Sequence, residues 1–403
     1  MTETAALDIL LHGQRIGTLA RLPGDRSIFS FTEKYAANET RSTLSLAYKD
    51  SYGALINAPR SYQTKLEPFF SNLLPEGVLR DYIARGAGVK SVREFDLLAQ
   101  LGSDLPGAVQ AVPINDAPIP YEDGADVREQ SKKHALRFSL AGVQLKFSAL
   151  RSVGKNAGLT IPVSGTGGDW IVKLPSARHP DVPENEFAAM SLASQLGIDV
   201  PAVELLPLEA VAGLPDGIAA YGASAFAIER FDRGPNGAVH IEDFAQVFRV
   251  YPDDKYENAS YRSILTVLAI ETDETSIAQF IRRLTYSVLI GNGDMHLKNW
   301  SLIYLDGRLP SLAPAYDLLS TVPYLPDDDS ALKFHRSRAW SSFTYEELKV
   351  MADKARLPSK LVVDAARETV EQFDDMWSHA RAELPFSEDV AAAIERHRAI
   401  LAI

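Results

Sequence analysis

A chain of 403 residues has room for two or three packed units, because single cores stop growing at roughly 250–300 residues. Its 46% hydrophobic and 23% charged residues are those of an ordinary folded protein, without an apolar run of the roughly 18 residues a membrane span needs, and the lack of cysteine excludes disulfides and thiolate metal sites. A net charge of −12 and a sequence pI of 5.2 argue against strong DNA binding by the chain itself and read first as a source of solubility. The first residues lack the basic start of a signal peptide, so a reducing cytoplasm is the expected location.

The chain opens with strand patterns at 7–11 and 16–22 around a turn containing Gly13, then at 28–31 and 43–47. From Leu66 the apolar spacing becomes helical and stops at Gly86 and Gly88. A second helix is expected from a Ser91 cap to Gly102. Residues 1–113 thus form an α+β unit, and polar, proline-containing 114–134 a connection. Strands at 136–148 and 169–175, a helix at 183–196 and strands at 200–206 and 225–231 make residues 135–233 a nucleotide-binding lobe. After the turn cluster 233–237 the region 234–403 is mainly helical and carries the catalytic and metal loops, with a hairpin turning at Asp306-Gly307.

The chemistry concentrates in Gly291 to Ser301, GNGDMHLKNWS, where Asp294 precedes Asn299 by five positions. A carboxylate there can take or orient the proton of an attacking hydroxyl, while the amide reaches a magnesium ion on nucleotide phosphates. Asp317, in LAPAYDLLS, stands where kinase-like folds put a second metal-binding carboxylate. Lys173, ending the strand pattern DWIVKLP, can reach the α- and β-phosphates, and Glu186 on the next helix can pair with it. Glu184 is the rival, a first-turn acid that a helix dipole would also favour. A lone strand-end lysine reads as a solvated charge, and only the downstream pattern reverses that reading. Lys298 is placed to neutralise the transferring phosphate. His296 is assigned to the nucleotide site as a hydrogen-bonding group, since magnesium seldom takes imidazole. In SLAGVQLK the small residues Ala141, Gly142, Val143 and Gln144 let backbone amides approach phosphates, although a G-x-G-x-x-G pattern is missing. Glu229 and Phe231 end a strand just before the turn cluster, where a kinase hinge meets adenine; an ordinary strand end fits as well.

These stretches resemble, in order, the HipA family of bacterial toxin kinases: RFSLAGVQLK, WIVKLP, PENEF, IERFDR, HIEDFAQVF, GNGDMHLKNWS and LAPAYDLLS. The resemblance implies an α+β, two-lobed protein-kinase-like fold with a β-rich N-terminal subdomain and a mainly helical C-terminal lobe. It implies ATP and Mg2+ as cofactors, with Asp294 catalytic, Asn299 and Asp317 on magnesium, Lys173 on the ATP phosphates and Glu229 and Phe231 at the adenine. It makes Ser139 an inhibitory autophosphorylation site. Its implied partners are a small HipB-like helix-turn-helix antitoxin, operator DNA held through that antitoxin, and an aminoacyl-tRNA synthetase substrate, glutamyl-tRNA synthetase above all. The catalytic loop departs from relatives at Gly293 and Leu297, where Thr and Gly are frequent, which leaves the Asp-to-Asn spacing intact. A small-molecule kinase of the aminoglycoside type and a catalytically silent co-repressor are the competing readings.

Overall fold

The structure is a computed structural model that describes residues 6–77, 80, 81, 84, 88–114, 145–151, 158–161, 168–214 and 217–403. It divides into two compact units, one of residues 1–138, 232–255 and 301–310, the other of residues 139–231, 256–300 and 311–403.

In the first unit an antiparallel five-stranded sheet runs in the order Ser61–Gln63, Arg26–Phe31, Gln14–Leu22, Ala6–Leu11, Val109–Pro113. Alternation in Ala6–Leu11 buries Leu7, Ile9 and Leu11, as period-two patterning requires. The hairpin turn uses His12 and Gly13, both at positive φ, the geometry whose twist matches paired strands. Phe69, Phe70, Leu97 and Leu98 complete the core from the helices Pro68–Ser71 and Glu94–Leu101.

Several local expectations are corrected here. Residues 43–47 are not a strand: Ser45 caps a short 3-10 turn, Leu46–Tyr48, because its hydroxyl accepts from Ala47 N. The long helix from Leu66 breaks after Ser71, where Asn72 turns its amide onto the Pro68 and Val250 carbonyls and Pro75 follows. Arg93, not Ser91, precedes the helix Glu94–Leu101, whose Glu94 is buried and accepts from Leu66 N and Ser71 Oγ at 2.7 and 3.0 Å. Residues 232–255 and 301–310 do not join the helical lobe. Strand His240–Asp243 pairs antiparallel with Ser301–Tyr304, and both belong to the first unit. The connection 115–134 lies outside the described residues, as does the expected strand up to residue 144.

The second unit begins with a six-stranded sheet in the order Val211–Ala212, Leu159–Thr160, Lys146–Arg151, Trp170–Lys173, Ser224–Glu229, Val203–Pro207. Helix Val182–Gln195 packs on the last two strands through fully buried Ala188, Ala189, Met190, Leu192 and Ala193. The helical half is built on Tyr261–Glu271, Glu274–Leu289, Tyr345–Ala355, Ser359–Glu383 and Glu388–Arg398. Ser260, Asp273, Thr344 and Ser387 cap four of these by accepting a backbone N–H of the first turn, which satisfies donors that the helix itself cannot. Among the described residues no helix is long and apolar enough to cross a membrane.

Candidate active site

All the candidate residues that the structure describes lie in the second unit. Helix Glu274–Leu289 delivers the first loop. It ends in a Schellman motif, with Gly291 at φ 65°, Asn292 N donating to Ser287 O at 2.8 Å and Gly291 N to Val288 O at 3.1 Å. A side chain at Gly291 would meet Val322 at 2.6 Å, so packing as well as backbone conformation demands glycine. The chain leaves the helix as a tight polar turn. Asn292 Oδ1 accepts from Asp294 N at 3.1 Å, and Asn299 Nδ2 donates to Asp294 O at 2.8 Å, so the five-residue spacing closes on itself.

The second loop is tied to the first by several hydrogen bonds. Asn292 Nδ2 donates to Asp317 O at 3.3 Å, Gly293 N to Thr321 Oγ1 at 2.7 Å, and Tyr316 OH to Lys298 O at 2.8 Å. Asp317 itself stands at φ 55°, in the left-handed region that Asp tolerates better than bulkier residues. Its carboxylate pairs with Lys173 on strand Trp170–Lys173. The same ammonium donates to Glu186 Oε1 at 2.5 Å, and Glu186 is buried on helix Val182–Gln195. Glu184 is therefore not the partner.

One ammonium serves two carboxylates, and the charges are arranged accordingly. Burial alone would lower Lys173, but Asp317 and Glu186 hold it above its ordinary range. Burial would likewise raise Asp317, yet Lys173, with Lys146 and His296 farther off, keeps its carboxyl well below the usual range. Glu186 receives the smaller share: burial pushes it up to about 7 against the pull of Lys173. Lys146 stands directly across the ladder from Lys173, which adds positive potential at this end of the sheet.

His296 packs edge-on to Tyr256, with ring centroids 5.0 Å apart, and its carbonyl accepts from Asn299 N at 2.9 Å. Lys298 lies half-buried in the 3-10 turn Leu297–Asn299. Glu229 ends its strand exposed, paired with Trp170, and half-buried Phe231 lies just beyond the strand, 5.7 Å from the Tyr316 ring. Ser139, Ala141, Gly142, Val143 and Gln144 fall outside the described residues.

Three contributors escaped the sequence reading. Tyr256, from a turn 38 positions upstream, donates its phenol to Asp294 Oδ1 at 2.5 Å. Arg283 is buried in helix Glu274–Leu289, donates to Ala313 O at 2.7 Å and lies 5.5 Å from the Trp300 ring. Asn185 holds the backbone of Ser320. Only Arg283 left a trace in the sequence, as a charge at an apolar phase of an amphipathic helix.

Residues 138–377 match the family profile described as the HipA-like C-terminal domain, and residues 7–112 the HipA N-terminal domain. The chain belongs to the HipA family. A Sinorhizobium fredii protein, Y4dM, whose name marks it as a candidate kinase, is 54% identical over 98% of this chain and 97% of its own length. The serine/threonine-protein kinase toxin HipA of Shewanella oneidensis is 27% identical over 64% of each chain. A solved Shewanella oneidensis HipA, in complex with HipB and operator DNA, superposes with a TM-score of 0.73 over 98% of this chain and 95% of that one, at 22% identity. The HipA fold, kinase-like, with a β-rich N-terminal region and a helical C-terminal region, is thus the fold of this protein.

A HipA-type kinase site would hold magnesium, and the donor chemistry here fits it. Asp317 and Asn299 offer hard oxygen atoms, the Asn299 amide nitrogen being engaged with Asp294 O, and among the described residues one buried oxygen of Glu186, Oε2, has no hydrogen-bond partner. Among the described residues no group of three or more His, Asp or Glu forms a metal cage by itself. Magnesium usually relies on one or two carboxylates plus the substrate's phosphates, which is the set these residues would complete.

Proposed function

We propose that this protein is an ATP-dependent serine/threonine protein kinase. The observation that carries the reading is the Lys173 ammonium bonded to both Glu186 and Asp317, beside a loop in which Asn299 is tied to Asp294. In this reading Lys173 and Lys146 attract the α- and β-phosphates, and Glu186 aims Lys173. Asp294 accepts the proton of the acceptor hydroxyl as its oxygen attacks the γ-phosphorus and the bond to ADP breaks. Lys298 offsets charge on the transferring group. Asp317 and Asn299 would hold magnesium, which supplies neutralisation of phosphate charge when bound. Phe231, Glu229 and His296 line the nucleotide's remaining edge.

Membership of the HipA family and the make-up of the Shewanella oneidensis complex of HipA, HipB and operator DNA support a partner reading as well. A basic HipB-like antitoxin would bring this acidic chain to operator DNA, and the phosphorylated target would be an aminoacyl-tRNA synthetase such as glutamyl-tRNA synthetase, with growth arrest and persistence as the consequence in the cytoplasm. Phosphorylation of Ser139 would switch the kinase off, since a phosphoserine adds roughly −1.5 to −2 charge, which opposes anionic ATP.

The test is transfer of radiolabel from ATP to purified synthetases, run beside aminoglycosides and beside the kinase alone, with peptide mapping of Ser139. Label on a synthetase hydroxyl supports the reading. Label on the aminoglycosides alone replaces it with the small-molecule kinase, and no transfer under any condition replaces it with the silent co-repressor.

A further inference from the structure

The turn that precedes helix Tyr261–Glu271 brings a tyrosine to the carboxylate on which the reaction depends. Tyr256 OH donates to Asp294 Oδ1 at 2.5 Å, a short contact of the kind a charged acceptor makes. The tyrosine is itself held in place. Its ring meets His296 edge-on at 5.0 Å, its carbonyl accepts from Arg338 Nη2, and Arg338 also reaches Glu257 at 3.2 Å. Asn258 takes a left-handed φ of 64°, and Ser260 caps the helix, so the chain on the C-terminal side of Tyr256 is fixed too.

Around Asp294 the backbone N–H is bonded to Asn292 and the backbone carbonyl to Asn299. Those bonds fix the main chain but leave rotation about the side chain. The phenol of Tyr256 removes that freedom. We infer that Tyr256 is a positioning residue for phosphoryl transfer: by holding Oδ1 it aims Oδ2 of Asp294 at the acceptor hydroxyl. This rests on the kinase reading of the site. A catalytic carboxylate works only within hydrogen-bond reach of the proton it takes, so fixing its orientation acts on the chemical step and not on nucleotide affinity.

Tyr256→Phe deletes the hydroxyl and keeps the ring on His296 and the carbonyl on Arg338. In the full chain, kcat for transfer should fall about ten- to hundredfold, the effect of one hydrogen bond to a charged group, with KM for ATP and the melting temperature unchanged. In an Asp294→Asn background the same change should cost nothing further, because Tyr256 acts through that carboxylate. A kcat within twofold of wild type overturns the proposal. A faster variant does so as well, since the phenol would then compete with the acceptor, and so does an equal loss in the Asp294→Asn background. If wild type and Asp294→Asn are equally inactive, the kinase reading itself falls and the positioning role falls with it. The comparison of wild type with Asp294→Asn separates that failure from the others.

Discussion

Asn185 and Ser320 are joined twice, as a strand residue is to its partner: Asn185 Nδ2 donates to Ser320 O at 2.8 Å and Ser320 N donates to Asn185 Oδ1 at 3.1 Å. Both residues are buried. The neighbour of Asn185 on its helix is Glu186, and Ser320 follows Asp317 by three positions. One side-chain amide thereby fixes the distance between the two carboxylates that share Lys173.

Asn185→Asp should be more harmful than its size suggests. The substitution turns the donor toward Ser320 O into an oxygen and leaves a buried carbonyl unsatisfied, at a cost of about 1–3 kcal/mol before any charge burial is counted. Urea titration should show the loss of stability, and transfer activity should fall more than stability does. A variant as stable and active as wild type would disprove the role.

Asp294→Asn and Asp317→Asn are expected to cut transfer to a small residual rate in a folded protein. General-base assistance alone contributes on the order of 10²–10⁴ in rate. Asp317 has a further consequence in acid. Its folded carboxyl titrates below its unfolded value, so the Lys173 pair contributes stability above the unfolded range of about pH 3.9 and loses it as pH falls through the folded one. The stability difference between wild type and Asp317→Asn should therefore be constant above about pH 4 and shrink as pH falls below it, which acid titration of both proteins checks.

A second pH effect belongs to the first unit. Glu242 is fully buried and accepts from Ser45 Oγ at 2.5 Å, from Leu46 N at 2.9 Å and from Tyr304 OH; burial pushes its carboxyl up to about 7 despite these bonds. Two residues earlier on the same strand, buried His240 is lowered to about 4 by burial. The signs oppose. Between about pH 4.5 and 7 the folded state holds a proton on Glu242 that the unfolded chain has lost, so its contribution falls as pH rises, whereas His240 makes stability rise between about pH 4 and 6.5. Glu242→Gln should leave the His240 slope unopposed, giving a variant whose stability relative to wild type grows as pH is raised from 5 to about 7. Unfolding free energies measured across that range check it, and a constant difference would contradict it.

Arg283 separates stability from activity. Among the described residues its Nε and Nη1 have no hydrogen-bond partner, and burial lowers its pKa to about 10, so the guanidinium is costly where it lies. Its bond to Ala313 O steadies the segment that leads to Asp317. Arg283→Met should change stability by no more than about 1 kcal/mol, because losing that bond is offset by removal of a buried charge, yet transfer should slow. Thermal melting and initial rates on the same preparation decide it; parallel losses of both would assign Arg283 to the core alone.

The residues proposed for the chemistry could be nominated because their order along the chain, and the short spacing from Asp294 to Asn299, are local properties. Helix Val182–Gln195 and strand Trp170–Lys173 were legible for the same reason, since apolar periodicity is written in consecutive residues. The choice of Glu186 over Glu184 was not decided there. It required knowing which face of the helix is buried against the sheet, and that depends on strands Ser224–Glu229 and Val203–Pro207, still to come in the chain. Thr43 to Ala47 alternates like a strand but became a 3-10 turn once Glu242, nearly 200 residues away, bonded Ser45 and Leu46. The pairing of His240–Asp243 with Ser301–Tyr304, which assigns both to the first unit, is likewise a long-range ladder without a local mark. Tyr256 reaches Asp294 and Lys173 reaches Asp317 across 38 and 144 residues, and only packing of the whole unit aims those side chains. Sequence fixes which groups are available and in what local geometry; distances between groups far apart in the chain are set by the cores that bury the elements carrying them.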